Sequence, residues 1–197
     1  MPAHFIGGGS NLVLKDELPA VVGIMATKGR DIGRGPDGDV LVTAQAGEDW
    51  SEFVGWTVSQ GLGGLENLAG IPGTVGAAPI QNIGAYGLEL ADRFRSLTAR
   101  DSLENKERRF DRDECRFSYR QSLFKQFGGR FIVLDVTTAL PQAWSPVLSY
   151  AGLDSLPSDV DAATVMERVL AIRRSETARL AHAGQCGVFL PQSGGYS

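Results

Sequence analysis

The stretch PGTVGAAPIQNIGAYG, residues 72–87, constrains this chain more than any other. It holds four glycines, two prolines and two neutral amides, and no charged side chain. Glycine loses more conformational freedom on folding than any other residue. A run this rich in it requires either special turns or a ligand pressed against the main chain. A second run, GGGSNL at 7–12, follows the short apolar segment HFI. Successive backbone N–H groups in such a turn can form an anion-binding nest, and Ser10 and Asn11 add side-chain donors. It is not a Walker loop, because no Gly-Lys-Ser/Thr follows, and it is not a GxGxxG motif opening a helix. Within the longer segment GLENLAGIPGTVGAAPIQNIGAYGLEL (64–90), Gln81 and Asn82 each donate and accept hydrogen bonds. That suits the edge of a ring bearing both carbonyl and N–H groups, and the absence of charge suits a flat, partly apolar ring beside a diphosphate. A buried glycine-rich crossover with structural amides fits the same residues, and composition leaves both readings open.

The chain has 197 residues, enough for one large domain or about two small ones. A formal net charge of −4 argues against a nucleic-acid scaffold and leaves an anionic small ligand admissible. The two cysteines, Cys115 and Cys186, have no zinc-site spacing and make no disulfide framework, so no metal is expected. A reduced, cytoplasmic protein is the expectation. No apolar run reaches the ~18 residues of a membrane span, and MPAHFIGGGSNLVL is not a signal peptide. HFIGGGSNLVL opens on what reads as a core strand, so structure preceding Met1 is expected to pair with it.

Residues 20–26 (AVVGIMA) and 39–47 (DVLVTAQAG) read as neighbouring strands bounded by the turn-rich KGRDIGRGPDGD. In EDWSEFVGWTVSQG, Trp50, Phe53, Val54, Thr57 and Val58 lie on one helical face. Glu48 and Asp49 suit its start, and Gly61 its end. Residues 94–110 read as a hairpin turning at DSLENK, 129–140 as a strand and 161–176 as a helix with Val165, Val169, Leu170 and Ile172 at helical spacing. The mixture lacks a βαβ rhythm, so the expected class is α+β.

Three segments in this order, GGGSNLVL, GLENLAGIPGTVGAAPIQNIGAYGLEL and CRFSYRQSLFK, resemble the UDP-N-acetylenolpyruvoylglucosamine reductase family. PVLSYAGL (146–153) and VMERVLAIRRS (165–175) extend the likeness, which runs from about residue 5 to about residue 175. The resemblance implies the FAD-binding fold of the vanillyl-alcohol-oxidase type, with two α+β subdomains and a third, substrate-binding domain. By that reading residues 1–60 and 61–141 are the two FAD-binding subdomains, and 142–197 begins the third. It implies a bacterial enzyme of peptidoglycan precursor synthesis, in which NADPH reduces FAD and the flavin then reduces UDP-N-acetylglucosamine enolpyruvate to UDP-N-acetylmuramate. Gly7, Gly8, Gly9, Ser10, Asn11 and Leu12 would cradle the FAD diphosphate. Ile71, Pro72, Gly73, Val75, Gly76, Ala78, Gln81, Asn82, Ile83, Gly84 and Ala85 would line the rest of the cofactor site. Arg120 would be catalytic, stabilising a developing enolate with a charge that guanidinium keeps at any working pH. Tyr119, Arg120, Lys125 and Tyr150 would contact the nucleotide-sugar substrate. No nucleic-acid or membrane partner is expected, and no protein partner is inferable from the sequence.

The likeness breaks near the end. The family's proton-donor serine stands in a GNAGS-F-F motif after RRSKLP, whereas this chain reads RRSETARLAHAGQCGVFLPQSGGYS. The family's C-terminal glutamate would fall beyond residue 197. Codons chosen for Gly184–Pro191 read Gly-Asn-Ala-Gly-Ser-Ser-Phe when shifted by one base, so a reading-frame slip between about Ser175 and Gly184 is expected. Cys186 lies close to the missing serine but its neighbours do not match, and neither His4 nor His182 is given a role. Impaired turnover is expected, with a non-catalytic flavin-binding remnant, or another oxidoreductase of the same fold, as alternatives.

Overall fold

The computed structural model describes residues 3–10 and 21–182. The expected positions Asn11, Leu12 and Cys186, and the tail after His182, lie outside the described residues. β1 (Ala3–Ile6) and β2 (Val21–Ile24) form a parallel pair, in register from Ala3–Val21 to Ile6–Ile24. Next come β3 (Arg30–Arg34) and β4 (Val40–Gln45), a tiny ribbon of β5 (Gly84–Ala85) and β6 (Leu88–Glu89), and then β7 (Phe94–Asp101), β8 (Lys106–Asp111) and β9 (Phe131–Leu140). Five of them make one antiparallel sheet in the order β3-β4-β9-β7-β8. The class is α+β, as the unrhythmic alternation of elements predicts.

Alternation along β4 explains its placement: Val42 and Ala44 are fully buried, while Leu41, Thr43 and Gln45 on the opposite face are half-buried. β9 lies in the middle of the sheet, and its Val136, Thr137 and Thr138 are all buried. The polar pair closes on itself or its neighbours: Thr43 and Thr137 share a 2.8 Å hydrogen bond and the Thr138 hydroxyl donates to Val42 O. Helix α1 (Trp50–Ser59) covers the core face with Trp50, Phe53 and Val54, each at most 1% exposed. Asp49 caps it by accepting from the Glu52 amide, and Gly61, in the left-handed region at φ 74°, follows its last turn. The Trp50 indole donates to Leu68 O at 2.9 Å, fixing the helix to a 3-10 turn at Glu66–Leu68. Two short helices, α2 (Arg112–Cys115) and α3 (Leu123–Gln126), lead from β8 back to β9, and Phe110, Phe124 and Phe131 pack edge-to-face at 5.1–5.8 Å.

Two sequence expectations are corrected. The runs at 20–26 and 39–47 do form strands, but they are not neighbours: β2 pairs with β1, and β4 with β3 and β9. The intervening KGRDIGRGPDGD is not only turn, because Arg30–Arg34 forms β3 on the sheet edge. The 94–110 hairpin, the strand ending at 140 and helix α1 form where the pattern puts them. Helix α4 (Ala162–His182) runs beyond residue 176, with Val165 and Val169 fully buried. Residues 30–59 share one sheet and one core with residues 61–140, while β1 and β2 form a separate pair. The segment 141–160 has no strand or helix, yet it is tied down. The Trp144 indole donates to Glu66 Oε1 at 3.1 Å, Asn67 Nδ2 donates to Val147 O at 2.9 Å, and Leu153 is fully buried.

Candidate functional site

The two glycine-rich segments meet. A methyl group built on Gly7 would lie 2.5 Å from Thr74 Oγ1, and one on Gly73 would lie 3.5 Å from Ser10 Oγ. The turn after β1 therefore rests on Gly73–Thr74, with backbone where side chains would intrude. The second segment is held from behind. Gly73 O accepts from the Trp50 amide at 3.0 Å, Val75 N donates to Glu48 O, and Gly76 N donates to Ala46 O, both at 2.9 Å. Gly76 approaches so closely that a Cβ there would stand 2.5 Å from the Ala46 Cβ. Glu48 is itself anchored by the Gly29 amide at 2.8 Å and the Arg30 guanidinium at 2.6 Å. Burial alone would raise its pKa, but these donors outweigh it and hold the carboxyl below its ordinary range.

The Thr74 hydroxyl is buried and has no hydrogen-bond partner among the described residues. Buried hydroxyls are normally satisfied, so an orphan one at a junction of glycine turns points to a missing acceptor. It borders a cavity of about 280 Å³ whose wall includes Gly7, Ala46, Gly76, Ile80 and Lys125. This is smaller than the roughly 300–1,000 Å³ that encloses a whole drug-sized ligand, so it takes part of a larger molecule. Lys125 is the cationic side chain among the described residues on that wall.

The other expected cofactor positions divide by depth. Gly8, Gly9 and Ser10 are exposed in the first turn, and Ile71 and Gly73 are half-buried with Pro72 exposed. Val75, Ala78 and Ile83 are buried in the hydrophobic core. Gln81 is half-buried at the end of a 3-10 turn, Val75–Gln81. Gly84 and Ala85 pair with Glu89 and Leu88. Asn82 is 1% exposed, and its amide is engaged inside the protein: Nδ2 donates to Glu89 Oε2 at 2.7 Å and Ser118 O at 3.3 Å, and Oδ1 accepts from the Ala91 amide at 3.0 Å.

A second cluster lies across β5. Arg120 sits in the left-handed region at φ 55°, its Nη2 donates to Gly84 O at 3.1 Å, and its own carbonyl accepts from Lys125 Nζ at 2.9 Å. Tyr119 is exposed beside it, its ring 6.0 Å from the guanidinium. Tyr150 packs edge-to-face on Tyr86 at 5.1 Å, and the Arg173 guanidinium lies 5.0 Å over the Tyr86 ring. Burial pushes Arg173 below the ordinary arginine value, Tyr86 opposes this and Arg120 adds to it, so the two guanidinium groups sense each other. Burial raises the Tyr86 phenol, against the pull of Arg173. Beside this cluster a groove of about 470 Å³ runs along α4 past Gly70, Leu170, Arg173, Arg174 and Thr177. The structure thus brings Arg120 and Lys125 together and sets Tyr150 on Tyr86. Thr74, Tyr86 and Arg173 escape sequence reasoning, though each stands inside a segment that carries the family likeness.

Other chemistry is sparse. Cys115 is buried, and burial, with Asp111 and Glu114 adding to it, pushes its thiol up to about 12, which leaves it an inert core residue. Among the described residues no group of three or more His, Cys, Asp or Glu side chains could hold a metal ion, and no helix is long and apolar enough to cross a membrane.

Residues 1–102 match the FAD binding domain family. Proteins named UDP-N-acetylenolpyruvoylglucosamine reductase are similar over nearly the whole chain. The one from Cupriavidus pinatubonensis is 47% identical over 196 residues, 96% of this chain and 57% of the relative. The one from Paraburkholderia xenovorans is 45% identical over 197 residues, with the same shares. The chain spans a little over half the length of these curated relatives. Among solved structures, UDP-N-acetylenolpyruvylglucosamine reductase from Thermus caldophilus shares the fold with a TM-score of 0.60 at 24% identity, over 89% of this chain and 56% of that one. A solvent-stable cholesterol oxidase shares it with a TM-score of 0.51 at 21% identity, over 70% of this chain and 30% of the oxidase.

Proposed function

Since the chain belongs to the FAD binding domain family, with the fold of the vanillyl-alcohol-oxidase type, we propose that it is the flavin-holding part of a UDP-N-acetylenolpyruvoylglucosamine reductase. The activity would be NADPH-linked reduction of the enolpyruvyl nucleotide sugar to UDP-N-acetylmuramate, in the bacterial cytoplasm. The single observation behind the reading is the junction of two side-chain-poor turns around the Thr74 hydroxyl, which has no partner among the described residues. It fits FAD: backbone N–H groups of Gly7–Ser10 and the Thr74 hydroxyl would hold the diphosphate, and Lys125 would place a positive charge near it. Ala46, Gly76 and Ile80 would exclude water from the apolar part of the ligand. Bound FAD supplies hydride transfer.

The remaining chemistry falls to side chains. Arg120, held by Gly84 O, would keep a fixed cation beside the substrate carboxylate as negative charge develops. Tyr150 on Tyr86 would fix the substrate side of that cluster. As for the division of the flavin-holding part, the separate pairing of β1 with β2 favours a boundary between β2 and β3 over one near residue 60.

A titration and an activity assay test this. The purified chain is titrated with FAD, and saturable quenching of flavin fluorescence at micromolar concentration is the expected result. No binding overturns the reading. NADPH oxidation that requires the enolpyruvyl nucleotide sugar identifies an active enzyme. The RRSETARL sequence in place of RRSKLP favours a second reading, flavin binding without turnover, which the same assay separates.

A further inference from the structure

The Arg120 turn is stitched to the glycine-rich segment by three hydrogen bonds. Ser122 Oγ donates to Ile80 O at 2.6 Å, Asn82 Nδ2 donates to Ser118 O at 3.3 Å, and Arg120 Nη2 donates to Gly84 O at 3.1 Å. Both Asn82 and Ser122 are at most 1% exposed. Within the turn, the amides of Ser118 and Gln121 each donate to the other's carbonyl at 3.1 and 3.0 Å. Ser122 Oγ also accepts from the Lys125 amide, starting α3, whose Phe124 and Lys125 border the cavity together with Ile80.

Two of these residues are in a costly backbone conformation, Asn82 at φ 44° and Arg120 at φ 55°. Non-glycine residues stay there only where their surroundings over-determine them. For Arg120 the surroundings are its own bond to Gly84 O, Lys125 on its carbonyl, and the two stitches flanking it at Ser118 and Ser122. Asn82 spends both amide hydrogens, one on Glu89 and one on Ser118, and its carbonyl receives Ala91 N. No amide hydrogen is left for a ligand.

We propose that Asn82 and Ser122 are positioning residues for Arg120: they join its turn to the cofactor segment so that both stiffen together, and Asn82 does not contact FAD. This rests on the reading of Arg120 and the cavity given above. One consequence is that ligand binding which orders residues 75–84 also orders residues 117–123.

Hydrogen exchange on the whole chain, read by mass spectrometry, tests it alongside FAD titration. In Ser122→Ala and in Asn82→Gly, where glycine accepts the left-handed backbone, exchange of amides 117–123 rises by about tenfold while that of β7 and β9 does not change. Ser122→Thr, which keeps the hydroxyl, restores protection. FAD slows exchange at 117–123 in the parent but not in Ser122→Ala, whose FAD affinity stays within about threefold of the parent. Unchanged exchange at 117–123 in both variants overturns the proposal. So does an Asn82→Gly protein that loses FAD affinity by more than about tenfold with normal exchange there, since Asn82 would then be a ligand contact. If one variant does not fold, the other carries the comparison. If the parent binds no FAD, the flavin reading falls, and exchange in the ligand-free proteins still decides whether the two residues hold the turn.

Discussion

At the scale of single residues, the unusual groups are those that look wasteful in the folded chain. Thr74 buries a hydroxyl that has no hydrogen-bond partner among the described residues. Thr74→Val keeps the shape and removes the orphan, so thermal stability is expected to hold or rise slightly. FAD affinity is expected to fall by about tenfold, the worth of one hydrogen bond to a charged group. Flavin titration and a thermal melt of the same sample measure both. Gly76 has the opposite logic. Its alanine variant would push a methyl into Ala46 and cost about 1–3 kcal/mol, lowering the melting midpoint. What the sequence reveals at this scale is where the main chain is bare, at Gly7–Gly9 and Gly73–Gly76. It cannot reveal that Thr74 is the residue between the turns, because their meeting depends on contacts with Ala46, Glu48 and Trp50. Nor can it separate an amide that holds a ligand from one that holds its own chain. Asn82 has the composition of the first and the hydrogen bonds of the second.

At the scale of elements, legibility follows burial. Helix α1 and strand β7 are written in apolar spacing because each presents one face to the core, β9 is an apolar-rich strand in the middle of the sheet, and the mostly exposed β8 is read from the turn that pairs it with β7. β3 is hidden because it is an edge strand, RDIGR, whose charged residues and glycine mimic a loop. The β7–β8 hairpin also carries a pH-dependent joint. Asp101 accepts from the Arg130 guanidinium at 2.6 Å and from the amides of Leu103 and Glu104. The Arg130 hydrogen bond first, then these amides, bring its pKa from 3.8 to about 2. A carboxyl depressed on folding stabilises the protein above its unfolded pKa, and that contribution disappears as pH falls through the folded value. The expected loss lies between about pH 4 and pH 2. Asp101→Asn is predicted to be less stable at neutral pH and to vary less across that window. Urea unfolding at a series of pH values tests it, and a slope equal to the parent's would count against the assignment.

At the scale of the whole molecule, apolar surface is concentrated at the β1–β2 pair. Phe5 is 52% exposed, Val21 56% and Ile24 72%. Exposed apolar strands favour edge-to-edge association. Ile24→Lys is expected to reduce concentration-dependent light scattering while leaving the melting of the five-stranded sheet unchanged. The order of that sheet has a different consequence. Its middle strand is the last to be made: β4 and β7 each bond to β9 and not to one another. While the ribosome is still translating residues 131–140, the nascent chain can hold this sheet only as two unjoined hairpins, β3–β4 and β7–β8. Closure waits for a single late segment to slide between them. Synthesis paused before codon 131 should therefore leave a chain that proteases cut readily, and release through codon 140 should convert it abruptly to a resistant one.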